Sequence, residues 1–384
     1  MRKLKILQAV YCLSRGGAEK LAIDITNELN KRENIEALLV SFDKTEDYEY
    51  DISEVNYKYC PSKTELSFFG KNKLSADSFK EVLKEFKPDI IHSHLFLSEL
   101  ITRFEISDNI KYVTHCHDNI VQFKKFDICS IFNRRKFTNF FERHYILNKY
   151  RQCNNNFIAI SEDNQMYLRK NLPLIFQKNI FLHHNAIVFK NYFNPLKQIT
   201  EKSDCIKLVS VGSFLDKKNQ IFLIDVVKIL INSGFNVHLT LLGEGKNRIN
   251  IEKKINELEL DQYVTLKGNV QNVEKYYFES DIYVHSAYYE PFGLVLLEAM
   301  AAGLPVVCLD GKGNRDIIEE GKNGFFIQNP DPNVFASKII TLINNKDLYR
   351  NIAEYAQNYA SAFDMNIYID KLVRFYNKII NGNS

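Results

Sequence analysis

The sequence has no run of about 18 apolar residues, the length a helix needs to cross a bilayer. It has no internal repeat and no low-complexity tract, which argues against a solenoid or a disordered spacer. It also has little net charge. Fifty Lys and Arg against 47 Asp and Glu leave +3, so no whole-molecule field points to nucleic acid. Seven cysteines (Cys12, Cys60, Cys116, Cys129, Cys153, Cys205 and Cys308) are scattered without a C-x-x-C pair. They read as reduced thiols, and the expected compartment is the cytoplasm. Lys5 and Gln8 interrupt the apolar run of Met1–Val10, so it reads as a first buried strand rather than a signal peptide.

What is present describes a globular protein: 384 residues, 45% hydrophobic and 25% charged, enough for two domains of about 150–200 residues. Short apolar strands alternate with helical patterns from Leu4–Val10 onward, at Ala37–Phe42, Asp89–His92, Tyr112–His115 and Phe157–Ile160. That alternation implies parallel strands joined by crossover helices, hence an α/β doubly wound sheet whose ligands gather at the strands' carboxyl ends. Gly16 and Gly17 stand between the first strand and a helix through Leu21, Ile25 and Leu29. Such a turn lets backbone approach a phosphate, although a Gly-Gly before a helix is also an ordinary turn. Two His-x-His pairs, His92/His94 and His115/His117, fall near strand ends. Alternate positions share a face, which suggests a metal, but no acid or cysteine joins them at metal spacing, so no metal site is assigned.

Ile120–Arg151 is the oddest stretch. Lys124, Lys125, Arg134, Arg135, Lys136, Arg143, Lys149 and Arg151 face only Asp127 and Glu142, a local net of +6, with seven aromatics from Phe123 to Tyr145 interleaved. It fits either a helix with a solvated basic face or a surface that meets anionic lipid headgroups.

A second strand–loop–helix centres on Glu290-Pro-Phe-Gly-Leu-Val-Leu-Leu-Glu298, with the helix taken to run from Gly293 to Ala302. A phosphate suits the start of that helix, and a carboxylate within it needs a partner such as paired sugar hydroxyls. The plainer reading is a core helix with two solvated acids. Glu-x7-Glu followed by Ala-Met-Ala-Ala-Gly-Leu-Pro-Val-Val resembles the nucleotide-sugar signature of the retaining GT-B glycosyltransferases, the glycosyl transferases group 1.

That resemblance implies two Rossmann-like domains facing a cleft: 1–194 on the acceptor side, 205–364 for the nucleotide sugar, and a last helix, 365–384, crossing back to the first. It implies a donor site from Gly16, Gly17, Ser213, Lys218, Gly243, Val270, Phe292, Gly293, Leu294 and Glu298, with Glu290, His117 and Lys218 as the reacting set. Ser213 stands where the family has Arg, and Ala186 where it often has Gly. Glu290 would hold the sugar, Glu298 the ribose diol, Lys218 the diphosphate, and His117 would orient the sugar. No Asp-x-Asp pair occurs, so transfer is expected to need no metal and no cofactor beyond the nucleotide-diphosphate sugar, a UDP-sugar being the expected donor. The acceptor would be a lipid-linked or oligosaccharide glycan in bacterial surface-polysaccharide synthesis at the inner membrane face, with no nucleic-acid partner. The rival readings are a non-catalytic partner subunit of the same fold, or a nucleotide-sugar epimerase or hydrolase.

Overall fold

The computed structural model describes residues 2–14, 16–44, 52–67, 71–125, 133–195 and 205–382. Residues 196–204, between the two expected domains, and part of the basic stretch (126–132) lie outside the described residues. The chain forms two compact units, Met1–Ala186 with Met365–Ser384, and Ile187–Asp364.

The first unit is built on nine strands: β1 Leu4–Val10, β2 Ile35–Ser41, β3 Tyr57–Tyr59, β4 Lys63–Glu65, β5 Lys73–Ser75, β6 Ile90–His94, β7 Lys111–Cys116, β8 Asn156–Ala159 and β9 Ile180–Leu182. Seven of them make one parallel sheet in the order β3-β2-β1-β6-β7-β8-β9, and β4 and β5 form a separate antiparallel hairpin. From Ile6 to Val10, β1 is fully buried, as a strand with helices on both faces must be. Strand order reverses between β1 and β6, the switch point where such sheets leave a crevice. Gly16 and Gly17 follow β1, while His94 and His117 come at the ends of β6 and β7.

The last helix, Met365–Ile380, belongs to this unit although it is the end of the chain. Met365, Tyr368, Ile369, Leu372 and Tyr376 form its buried stripe. Phe375 sets its ring on Phe181 at 4.8 Å, and Asp370 pairs with Arg32 at 2.8 Å.

The second unit holds β10 Ile206–Val211, β11 Val237–Leu242, β12 Val264–Gly268, β13 Ile282–His285, β14 Val306–Leu309 and β15 Gly324–Ile327. They are all parallel, in the order β12-β11-β10-β13-β14-β15, with the switch between β10 and β13. The sequence reading missed β15. A Cβ on Gly324 would lie 2.5 Å from the Val306 carbonyl oxygen, so only glycine lets this short strand close on β14.

Candidate active site

In the second unit the chain leaves β10 through Gly212 and Ser213 into a single 3-10 turn, Asp216–Lys218. Asn219 closes that turn in the left-handed region, at φ 52°. The Gln220 amide donates to the carbonyls of Gly212 and Ser213 at 3.0 and 3.1 Å, tying the loop to the next helix, and Ser286 Oγ donates to the Lys218 carbonyl at 2.9 Å. This frame aims the Lys218 ammonium at Glu290, 2.5 Å from Oε2.

The sequence suggested a helix opening at Gly293, and it begins one residue later, at Leu294. Glu290 therefore sits in the loop between β13 and that helix. Its N–H donates to the Gly311 carbonyl at 2.7 Å and its carbonyl accepts from Gly313 N–H at 3.0 Å. A Cβ on Gly313 would lie 2.0 Å from the Pro291 carbonyl oxygen, so glycine is required for this approach. A second cation candidate, His285, ends β13 with Nε2 3.0 Å from the same Glu290 oxygen. Nε2 makes no regular hydrogen bond there, although it lies against the carboxylate. Tyr283 Oη lies 3.4 Å from the other ring nitrogen. Burial alone would keep Glu290 protonated, but Lys218 and His285 hold it ionised, well below the usual carboxylate range. The sequence reading missed His285. The available signal was a histidine ending an apolar strand five residues before Glu290.

Glu298 lies in the helix Leu294–Ala301, 9% exposed, and accepts from the Tyr277 hydroxyl at 3.0 Å. Gly293 caps this helix at φ 107°, where side chains are strained. Phe292 is buried below it and Leu294 is half-buried. Gly243 is there for contact: a Cβ would come 2.2 Å from the Gly212 carbonyl oxygen, so the ends of β10 and β11 close on each other. Val270 is half-buried after β12, and Ser213 is exposed. Lys218 and Glu290 thus meet directly, Gly243 packs on Gly212, and Glu298 is held by Tyr277.

Gly16, Gly17 and His117 belong to the first unit. Gly16 makes room for Glu19 to fold back on the helix start, since a Cβ there would be 2.3 Å from Glu19 Oε2. Burial pushes the Glu19 carboxyl up to about 6, against its own backbone hydrogen bond. His92, His94, His115 and His117 stack under the sheet's carboxyl edge, with ring centroids 4.1–5.1 Å apart in neighbouring pairs. One nitrogen from each of His92, His94 and His115 lies within 4.8 Å of the others. His92 is nearly parallel to both other rings, His94 and His115 are tilted by 36° to each other, and both His94 nitrogens already have partners. Asn185 accepts from His115 Nε2 at 3.1 Å, and Ser161 caps the helix after β8 by accepting from Asn164 N–H.

Two family models divide this chain between them. Glycosyltransferase Family 4 matches residues 15–188 and Glycosyl transferases group 1 matches residues 194–359. Residues 194–359 thus belong with the glycosyl transferases group 1, and residues 15–188 with glycosyltransferase family 4. The chain is 30% identical over 202 residues to the poly(ribitol-phosphate) alpha-N-acetylglucosaminyltransferase of Staphylococcus aureus, covering 52% of this chain and 40% of that protein. It spans under half the length of the first curated relatives it matches. It is also 25% identical, over 95% of this chain and 96% of the relative, to the N-acetylgalactosamine-N,N'-diacetylbacillosaminyl-diphospho-undecaprenol 4-alpha-N-acetylgalactosaminyltransferase of Campylobacter jejuni. Among solved structures, Anabaena HepE in complex with UDP and glucose superposes with a TM-score of 0.75 at 20% identity, over 98% of this chain and 99% of that one. The fold is GT-B.

Proposed function

We propose that this chain is a retaining, metal-independent glycosyltransferase that moves a sugar from a UDP-sugar to a lipid-linked or oligosaccharide acceptor in the synthesis of a bacterial surface polysaccharide. The observation that carries this reading is the convergence of Lys218 and His285 on one oxygen of the buried Glu290, eight residues before a second buried acid, Glu298. Breaking a sugar–phosphate bond builds negative charge on the diphosphate and positive charge on the sugar. Preorganised charge near both fragments is the largest catalytic contribution. Lys218 is the cation for the diphosphate, helped by the Gly293 helix end. Glu290 is the anion for the sugar, and Glu298 fits a ribose diol, with Tyr277 fixing its other oxygen. His117 orients the sugar. The leaving phosphate takes the acceptor's proton, which gives retention. The alpha linkages in the names of the two relatives agree with retention if the donor is itself an alpha nucleotide sugar.

The acceptor side draws on the helix Arg134–Gln152. Arg134, Arg135 and Lys136 occupy its first turn, where the helix dipole disfavours cations, and all three are exposed beside the 42%-exposed Phe137 and 40%-exposed Phe140. Anionic headgroups at an inner membrane face would offset that repulsion. Among the described residues no helix is long and apolar enough to cross a membrane. The Campylobacter relative's name carries a diphospho-undecaprenol, which supports a lipid-linked acceptor.

Ser213 favours one second reading, a non-catalytic partner subunit, because an uncharged residue replaces a diphosphate-binding Arg. A thermal-shift panel of UDP-, GDP- and ADP-sugars tests the proposal: a UDP-sugar raises the melting temperature, and further with the logarithm of its concentration above Kd. A panel in which no nucleotide sugar shifts the transition would sink it.

A further inference from the structure

The imidazole stack has an internal order that reaches His117. Four contacts link it from end to end: Tyr376 Oη to His92 Nδ1 at 2.6 Å, the Gln8 amide to Tyr376 Oη at 3.3 Å, Gln8 Oε1 to His94 Nε2 at 2.7 Å, and His94 Nδ1 to His117 Nε2 at 2.8 Å. Gln8 is fully buried on β1, and Tyr376 arrives from the last helix.

A side-chain amide has one end that donates and one that only accepts, so Gln8 gives this chain a direction. The Gln8–Tyr376 separation decides which. An O–H donor bonds at about 2.5–3.0 Å, and 3.3 Å suits an amide N–H donor instead. The short 2.6 Å contact then takes the Tyr376 hydroxyl proton to His92 Nδ1. The Gln8 carbonyl accepts, so His94 must carry its proton on Nε2. His94 Nδ1 is then a lone pair and must accept from His117 Nε2–H. His117 ends the chain with a bare Nδ1, which has no hydrogen-bond partner among the described residues. In the same order His92 Nε2 is a donor. His115 donates from Nε2 to Asn185, so its Nδ1 is a lone pair. These are the two buried ring nitrogens of the stack without partners, opposite in character and in rings 5.1 Å apart.

We propose that Gln8 is a positioning residue which, through His94, holds His117 in the neutral Nε2-protonated tautomer, so that Nδ1 accepts a hydrogen bond from a hydroxyl of the transferred sugar. The second half rests on the donor site proposed above. The tautomer order does not. An imidazole that offers a lone pair contributes no positive charge beside a sugar that is itself becoming cationic. Burial and the neighbouring His94 lower the proton affinity of His117, in keeping with that role.

The test is a two-bond 15N–1H spectrum of protein labelled at histidine, with the His117 signals assigned from a His117→Ala variant. The expected spectrum shows His117 protonated at Nε2 and bare at Nδ1. A His117 protonated at Nδ1 would overturn the order, and the wild-type spectrum alone decides this. In Gln8→Leu, His117 is expected to split between both tautomers. Titration with UDP-N-acetylglucosamine should then weaken roughly tenfold while titration with UDP stays unchanged. Gln8→Glu keeps an acceptor facing His94 and is expected to restore both readouts. If Gln8→Leu leaves tautomer and affinities as in the wild type, Gln8 does not position His117. A changed tautomer with unchanged UDP-N-acetylglucosamine affinity would instead remove His117 from the sugar, and with it that part of the donor-site reading.

Discussion

Glu290 and Glu19 are buried acids that respond to pH in opposite senses. Glu290 is held below its ordinary 4.5 by Lys218 and His285, so the stability it contributes is present above that value and is lost as pH falls beneath it. Glu19 is pushed up from 4.5 to about 6. The unfolded chain ionises it first, so the folded state loses ground as pH rises from 4.5 to 6, by about 2 kcal/mol. Glu19→Gln should therefore raise the melting temperature at pH 7 and flatten its dependence on pH across that window in calorimetry. An unchanged pH profile would mean that the carboxyl is solvated. Lys218→Met removes one partner of a pair whose side chains are only 15% and 9% exposed. It should cost about 3 kcal/mol in denaturant unfolding, as an acid left with only His285 beside it. A loss of transfer without that destabilisation would show that Lys218 serves the donor alone.

At the scale of elements, legibility followed from how local the cause was. Strand β1 was readable because its apolar run is continuous and its end is marked by turn residues. Strand β15 was not, because Gly324-Phe-Phe-Ile is shaped by its contact with Val306, which lies 18 residues away in sequence. The site divides in the same way. Lys218, Glu290 and Glu298 could be marked from spacing and resemblance. His285 and Gln8 act only through partners brought by the fold; the place of His285 at a strand end before Glu290 was a local signal, and Gln8 had none. The helix Arg134–Gln152 gives an element-scale prediction. Replacing Arg134, Arg135 and Lys136 together by Glu places acids at a helix N-terminus, worth about 0.3–1 kcal/mol each. The variant should melt no lower than the wild type yet lose co-sedimentation with vesicles containing phosphatidylglycerol. Equal sedimentation of both proteins would remove the membrane from the account.

For the whole molecule, the last helix makes the first unit discontinuous in sequence. Tyr368, Leu372 and Tyr376 are buried there, and Tyr376 closes the Gln8–His92 contacts. A chain ending at residue 364 should expose that face and the stack beneath it. It should lose the cooperative unfolding of the first unit in hydrogen exchange, while the strands of the second unit stay protected. Protection of β1 and β6 equal to that in the full chain would show that the helix is dispensable.

The central claim is that Glu290, steadied by Lys218 and His285, acts on the sugar of a nucleotide donor. Its most direct test is transfer of label from radiolabelled UDP-sugars to lipid-extractable or polymer-bound product in the presence of EDTA, comparing the wild type with Glu290→Gln. The account predicts EDTA-resistant transfer that falls by roughly a hundredfold or more in the variant, with UDP binding retained. Transfer at the wild-type rate by Glu290→Gln would contradict it.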